Sequence, residues 1–331
     1  MKGAPGHPGL APRYRIALLA GIAALAFILS LFVGPSGIGI DATGEARALI
    51  FNEIRLPRAL LGALVGGTLG LAGAALQGYL RNPLAEPSLV GVSGGAALGA
   101  VLAIQLGLSH LLALALPVGG LAGAAVAMLA VVALAGAHGG PVTLILAGLA
   151  VSSITTALIS LALNLSQNPF ASVEMVFWMM GSLADRSLTQ LWISAPLMLL
   201  GCGLLLTLAR ALDALTLGED AATSLGINLS RTRTAVIAGT ALSVGAATAV
   251  TGVIGFVGLI VPHMLRRLVQ HRPGLLLPAS LFGGASMLLL ADVALRVVQP
   301  WVELRIGVLT ALIGAPFFVW LVLKTRAEMA L

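Results

Sequence analysis

Few residues of this sequence are able to do bond chemistry, and their spacing keeps them apart. His110, His138 and His263 lie at the ends of three separate apolar segments. The one cysteine, Cys202, excludes an intrachain disulfide and argues against a cysteine-based metal site. No G-x-x-x-x-G-K-[ST] motif occurs, so a nucleotide would have to be bound by another polypeptide. We therefore predict no catalytic residue, no metal site and no cofactor in this chain.

Ion coupling is a second chemistry to consider, because it needs an ionisable side chain inside a membrane. Asp292, in the apolar segment LLLADVALR, is the leading candidate, and Glu174 is another if its segment enters the bilayer. Asp292 lies about one helical turn before Arg296, a spacing typical of a local ion pair. We favour the ion pair and keep an ion-coupled secondary transporter that uses Asp292 as the alternative.

The elements that must position these residues are membrane-spanning helices. Of the 331 residues, 59% are hydrophobic and 9% are charged, whereas about a quarter of the residues of a soluble domain are charged. The apolar runs predict an all-α polytopic membrane protein with about ten spans. The predicted spans cover residues 16–33, 57–79, 88–107, 111–135, 142–164, 190–210, 232–251, 257–270, 275–297 and 305–323.

The distribution of basic residues predicts the orientation of these spans. With both termini in the cytoplasm, most of the 18 Lys and Arg residues fall on the cytoplasmic side, as the positive-inside rule requires. The formal charge of +6 therefore reflects membrane topology, and we discount nucleic acid as a partner. No linker or soluble domain interrupts the chain, so residues 1–331 are predicted to form a single transmembrane domain.

The polar segment Leu215–Arg233 is predicted to contain a short cytoplasmic helix. The residues that favour this helix and a docking face on it are Gly218, Glu219, Asp220, Ala222, Leu225 and Gly226. The first glycine can end the preceding span, the two acidic residues suit the positive end of a helix, and the last glycine suits a left-handed cap. Such a helix could dock into a groove of another protein or serve as an ordinary interfacial connector, and the spacing leaves both open.

Two further segments have polar residues where the membrane topology does not favour them. Arg55 and Arg58 flank a proline on the predicted outer side. They either reach toward lipid headgroups or pair with acidic residues of an external partner. On the inner side, the sequence NPLAEP at 82–87 breaks the chain between two spans. Irregular backbone at that depth must be buried in protein or line a cavity.

Five motifs occur in one order along the chain and together resemble a known family. They are RLPR at 55–58, QGYLRNPLAEP at 77–87 with GVSGGA after it, GEDAATSLG at 218–226, GFVGLIVPHMLR at 255–266 and TALIGAPFF at 310–318. Each motif alone is weak, but their order and spacing are specific. The chain resembles the FecCD family of ABC importer permeases, which serve the uptake of iron–siderophores, haem and vitamin B12.

The resemblance implies a type II ABC importer permease with ten helices and a path along the axis of a homodimer. Two ATP-binding subunits would dock on the cytoplasmic side, at a coupling region around residues 212–230, and would bind ATP and Mg. One substrate-binding protein would dock outside, on Arg55, Arg58 and Arg296. Asn82 and Leu84 correspond to the cytoplasmic gate. Such an importer belongs in a prokaryotic plasma (inner) membrane.

Two departures from the family pattern affect these site predictions. Relatives usually have a helix-starting proline where this chain has Arg305, which would add a fourth outer positive charge near the dock. The loop before Leu144 has Pro141 and Val142, where the vitamin B12 relative has hydroxyl residues at its inner gate. We therefore include Arg305 among the docking residues and assign no gate residue to that loop.

The lining of the path and the substrate are the least determined features. Small polar residues of the fifth span, Ser152 and Thr156 foremost, are candidates for the translocation path, although such residues also pack helices together. The segment 175–180, MVFWMM, offers soft and flat contacts for a porphyrin, or anchors the chain at the membrane interface. We favour haem over a ferric siderophore or a corrinoid.

Overall fold

The computed structural model describes residues 12–34, 37–39, 43–136, 139–298 and 304–329. The sequence prediction that concerns His138 lies outside the described residues. The described helices are α1 (Pro12–Phe32), α2 (Gly44–Leu49), α3 (Leu56–Tyr79), α4 (Val92–Gln105), α5 (Leu108–Leu111), α6 (Ala115–Ala135), α7 (Pro141–Leu165), α8 (Pro169–Met179), α9 (Leu188–Leu206), α10 (Ala209–Leu215), α11 (Glu219–Ser224), α12 (Leu229–Thr251), α13 (Val257–Leu265), α14 (Pro273–Val298) and α15 (Ile306–Met329). A π-helix (Ile50–Arg55) joins α2 to α3, a 3-10 helix (Pro87–Val90) precedes α4, and strands Val33–Gly34 and Gly37–Ile38 pair as a small antiparallel hairpin.

Eight described helical segments are long and apolar enough to cross a membrane. They are α1, the continuous run Gly44–Tyr79, α6, α7, α9, α12, α14 and α15. The other two predicted spans, 88–107 and 257–270, contain α4 and α13, which have 14 and 9 residues. A helix needs about 20 residues to cross the hydrocarbon core, so these two do not cross it alone. The chain is a helical polytopic membrane protein.

Helix α3 lies at the centre of the bundle, and glycines let its neighbours approach it closely. Its apolar residues are almost all buried, with α14, α12, α13 and α9 packed around it. A Cβ atom added at Gly66 would overlap the backbone of Gly284 in α14, and one added at Gly73 would overlap the backbone of Gly258 in α13. Contact between helix backbones provides dispersion energy where lipid removes the hydrophobic effect between helices.

A break in the chain separates α12 from α13. Helix α12 ends at Gly252, whose φ of +74° is in the left-handed region that glycine adopts at low cost. Phe256, which precedes α13, also has a positive φ of +67°, an uncommon conformation for a bulky residue. The surrounding structure must therefore hold this turn in place.

Candidate docking, gate and coupling sites

Asp292 is the centre of a buried cluster of charges at the outer end of the bundle. Arg58 binds it in a bidentate manner, with Nε 3.0 Å from both carboxylate oxygens and Nη2 2.7 Å from Oδ1. Arg296, one turn further along α14, donates from Nη2 to Oδ2 at 2.7 Å. The predicted local ion pair is therefore confirmed. Two guanidinium groups already bind this carboxylate, so the arrangement does not favour binding of a coupling ion at Asp292.

Arg296 and Arg55 bind the end of the first helix. Arg296 Nη1 lies 2.7 Å from the carbonyl oxygen of Ser30 and 2.8 Å from that of Val33, and its Nη2 contacts the Ser30 hydroxyl. Arg55 Nη1 lies 2.9 Å from the carbonyl oxygens of both Leu31 and Phe32. The last carbonyls of a helix have no partner within the helix and carry partial negative charge, which guanidinium groups satisfy well.

This arrangement bears directly on the docking prediction. Arg55 and Arg296 are only 7% and 3% exposed, so both are buried in the bundle and occupied by backbone carbonyls. Arg58 and Arg305 instead line a small outer cavity of about 160 Å³, together with Asp185. Of the four predicted docking arginines, these two are the ones that reach an open surface.

Two arginines, Arg58 and Arg305, and two aspartates, Asp185 and Asp292, line this outer cavity. The Arg305 guanidinium lies 5.2 Å from the centre of the Phe177 ring, within cation–π range. Burial lowers the pKa of Arg186, in the loop before α9, while nearby Asp185 opposes that shift and Arg305 adds to it. Arg58 already binds Asp292, so Arg305 is the lining arginine better suited to an acidic side chain of another protein.

The loop 80–91, which we call the gate loop, lies at the inner end of the bundle and contains Asn82 and Leu84. Asn82 Oδ1 accepts a hydrogen bond of 2.9 Å from the backbone amide of Leu84, which forms a tight local turn. From α3, Gln77 Nε2 donates to the carbonyl oxygens of Ala85 and Gly258, each at 3.3 Å. Arg266 in turn donates to Gln77 Oε1 at 2.6 Å. A side-chain amide thus holds the gate loop against α13.

Sequence reasoning missed the role of Gln77. The signal was present, because a glutamine inside an otherwise apolar membrane helix must find hydrogen-bond partners. Ala85 is a nearby partner, but Gly258 and Arg266 lie about 180 residues further along the chain and could not have been named from the sequence.

The predicted cytoplasmic helix is present as α11. Gly218 and Gly226 flank it with φ values of +102° and +83°, and Glu219 and Asp220 occupy its first turn. Ala222, which we placed on the docking face, is instead fully buried, because it packs into the core of its own chain. Leu225 is 64% exposed and remains on the open face.

Two ion pairs connect the cytoplasmic segments to the bundle. Arg81, at the start of the gate loop, donates to Glu219 of α11 at 3.2 Å, and both side chains are about half exposed. Asp213 of α10 accepts from Arg272 at 3.3 Å and from the backbone amide of Gly274 at 2.7 Å. The gate loop and the predicted coupling region therefore contact each other through the Arg81–Glu219 ion pair.

Helix α7 has a row of hydroxyl groups along its exposed face. Ser153, Thr156 and Ser160 are exposed, and each hydroxyl donates to the carbonyl oxygen four residues earlier at 2.8–2.9 Å. Ser152 is half-buried, and its carbonyl oxygen is the acceptor for Thr156. Because the hydroxyls are bonded within the helix, the row is mildly polar and binds other groups weakly.

The chain is similar to known proteins over most of its length. The model of the FecCD transport family matches residues 22–324. The chain is 40% identical over 308 residues to the vitamin B12 import system permease protein BtuC of Shigella boydii, covering 91% of this chain and 92% of the relative. It is 38% identical over 291 residues to the hemin transport system permease protein HmuU of Yersinia pestis, covering 87% of each.

A solved structure shares the fold. It is described as a metal-chelate type ABC transporter in an inward-facing conformation, and it superimposes with a TM-score of 0.81 at 34% identity, covering 95% of this chain and all of that one. The family model spans nearly the whole described bundle, and the relatives match over most of their own length. The chain belongs to the FecCD transport family.

Proposed function

We propose that this chain forms the membrane path through which an ATP-driven importer moves a metal chelate, haem in the first place, into the cytoplasm. The protein is an ABC importer permease and a multi-pass protein of the inner membrane. The observation that carries the proposal is the exposed hydroxyl row of α7, because it gives a mildly polar surface to a helix that is long enough to cross the membrane. A bulky chelate needs a path of this kind, because groups that bind weakly allow it to leave.

A second copy of the chain would complete the path. The hydroxyl row on α7 faces away from the described bundle, and polar groups in membrane helices generally face protein or a water-filled cavity. A homodimer that places the two rows opposite each other would enclose them. The remaining outer surface would contact the lipid bilayer.

ATP hydrolysis would take place in two partner subunits bound at the coupling region. This chain would perform no bond chemistry and would switch between outward-open and inward-open states as the partners bind and hydrolyse ATP. The exposed face of α11, with Asp220 and Leu225, supports a role as the docking element. The pair Arg81–Glu219 would pass its movement to the gate loop.

Charge reversal at this pair tests the coupling. We expect Arg81→Glu or Glu219→Arg alone to lower ATP-driven uptake about two- to fivefold, because an exposed ion pair is worth at most about 1 kcal/mol. The double swap, Arg81→Glu with Glu219→Arg, should restore most of the uptake. Additive losses in the double variant, measured in proteoliposomes, would show that the pair does not act as a unit.

The substrate-binding protein would dock over the outer cavity, with Arg58 and Arg305 facing its acidic residues. We expect Arg305→Glu to slow association of the binding protein about tenfold at low salt, since charges at the rim of an interface act mainly on the association rate. The measurement is association kinetics with the permease in nanodiscs at several salt concentrations. Arg47→Glu, an exposed arginine of α2, is the matched control. Equal effects of the two reversals would mean that no specific contact is made at Arg305.

One relative supports haem as the substrate, whereas the burial of part of segment 175–180 weakens the predicted porphyrin contact. The relative named for hemin transport is 38% identical to this chain. In segment 175–180, however, Met175 and Trp178 are buried in the chain's own core, because their helix packs against α4. Val176, Phe177 and Met180 remain exposed, and of these Phe177 and Met180 offer the flat or soft contact that suits a porphyrin.

Uptake competition tests the substrate. The permease, its ATPase and its binding protein are reconstituted together in proteoliposomes. Labelled haem is added to the external medium together with an excess of unlabelled ferric siderophore or corrinoid. We expect haem uptake that neither competitor lowers. Preferential uptake of a siderophore or a corrinoid would exclude haem as the substrate and leave the importer mechanism intact.

A further inference from the structure

The carboxylate of Glu86 connects the gate loop to a distant turn of the chain. Glu86 Oε1 accepts a hydrogen bond from the backbone amide of Phe256, 170 residues further along, at the break between α12 and α13. The residue is largely withdrawn from solvent, and burial raises the pKa of its carboxyl group, while the Phe256 amide opposes that shift. A negative charge at this point also faces the positive end of α13.

The turn that Glu86 binds is one that the local sequence does not favour. Phe256 has a φ of +67°, a left-handed conformation that is sterically unfavourable for a non-glycine residue. A bond from Glu86 to its amide offsets that cost. The neighbouring Pro87 packs on Gly258, where an added Cβ atom would lie 2.5 Å from the proline Cδ. The gate loop therefore contacts the turn through both a hydrogen bond and packing.

The Phe256 ring extends the connection to the last helix. It lies directly on Gly314 of α15, and a Cβ atom at Gly314 would overlap the ring. At the other end of the gate loop, a Cβ atom at Gly148 of α7 would overlap the carbonyl oxygen of Leu89. The gate loop is thus in contact with the path helix α7 on one side and, through Glu86 and Phe256, with α15 on the other.

We propose that Glu86 is a positioning residue for transport, which ties the gate loop to the α12–α13 turn and α15 so that these segments move as one body when the gate opens and closes. This inference rests on the proposed importer function, since it assigns the gate loop a movement driven by the ATPase. Glu86 itself does not contact the substrate. It acts through the Phe256 amide and the ring beyond it.

Three variants separate positioning from simple stabilisation. Glu86→Ala removes the link. We expect ATP-driven uptake to fall about tenfold while ATP hydrolysis continues, because a buried amide left without an acceptor shifts an equilibrium by about that factor. Glu86→Gln keeps an acceptor for the Phe256 amide and should retain most of the uptake. Glu45→Gln, an exposed carboxylate of α2, is the control for loss of charge alone.

A distance measurement distinguishes this inference from the proposed function. Spin labels are placed on Pro83→Cys, at a half-buried position of the gate loop, and on Val319→Cys, at an exposed position of α15, in a Cys202→Ser background with one labelled copy per dimer. We expect one narrow distance in the wild type with and without ATP, and a broad, ATP-dependent distribution in Glu86→Ala. A wild-type distance that changes with ATP, or identical distances and uptake in wild type and Glu86→Ala, would overturn the role of Glu86. Absence of ATP-driven uptake in the wild type would instead overturn the proposed function, whatever the distances show.

Discussion

Replacing Asp292 by Ala is expected to lower the free energy of unfolding by about 3–5 kcal/mol, because the buried guanidinium group of Arg296 and the partly buried one of Arg58 then face each other without a counter-charge. Arg58 and Arg296 both bind this carboxylate at 2.7 Å, and its side chain is 2% exposed. The measurement is the thermal unfolding midpoint of the purified permease in detergent, together with its yield in the membrane fraction. Loss of the cluster would also release the outer end of α1, which Arg296 binds.

Asp292→Asn separates charge from shape. It keeps the size of the side chain and removes the charge, so its loss of stability should approach that of Asp292→Ala. Glu45→Gln removes an exposed charge and should change the midpoint little. If Asp292→Asn stayed within about 1 kcal/mol of the wild type, the cluster would be held together by packing, and the ion pairs would contribute little.

Replacing Gly73 by Val is expected to lower the free energy of unfolding by about 3 kcal/mol or more, because overpacking of a close backbone contact forces the helices apart. A Cβ atom at this position would overlap the backbone of Gly258, where α3 meets α13. The same contact holds α13 beside the gate loop, so uptake should fall along with the unfolding midpoint. Both are measured on the same preparation.

Gly203→Val in α9 is the matched control, because a Cβ atom there meets nothing within 4 Å. It tests whether valine in a membrane helix is harmful in itself. Equal effects of Gly73→Val and Gly203→Val would contradict a specific backbone contact between α3 and α13.

Features that depend on neighbouring residues along the chain could be predicted from the sequence. The apolar runs indicate where helices cross the membrane, and every predicted span contains a described helix. The short helix α11 also follows from local signals, since Gly218 and Gly226 mark its two ends. Local signals fail just before α13, where Phe256 takes a left-handed conformation and its amide binds Glu86, 170 residues earlier in the chain.

Features that depend on distant contacts could not be predicted. Arg55, Arg58 and Arg296 look alike in the sequence, yet only Arg58 lines the outer cavity. The other two bind carbonyl oxygens of residues 30–33. The sequence around each arginine does not indicate these contacts. Ala222 faces inward for the same reason, because the face that a six-residue helix buries is decided by the bundle beneath it.

ATP-dependent uptake tests the central claim most directly. The permease is reconstituted with its ATPase and binding protein in proteoliposomes, with haem outside and with proton and sodium gradients abolished by ionophores. We expect uptake that requires Mg-ATP and the binding protein and that is indifferent to the ionophores. Uptake by the permease alone, driven by a proton or sodium gradient and lost without one, would contradict the importer and bring back ion coupling at Asp292.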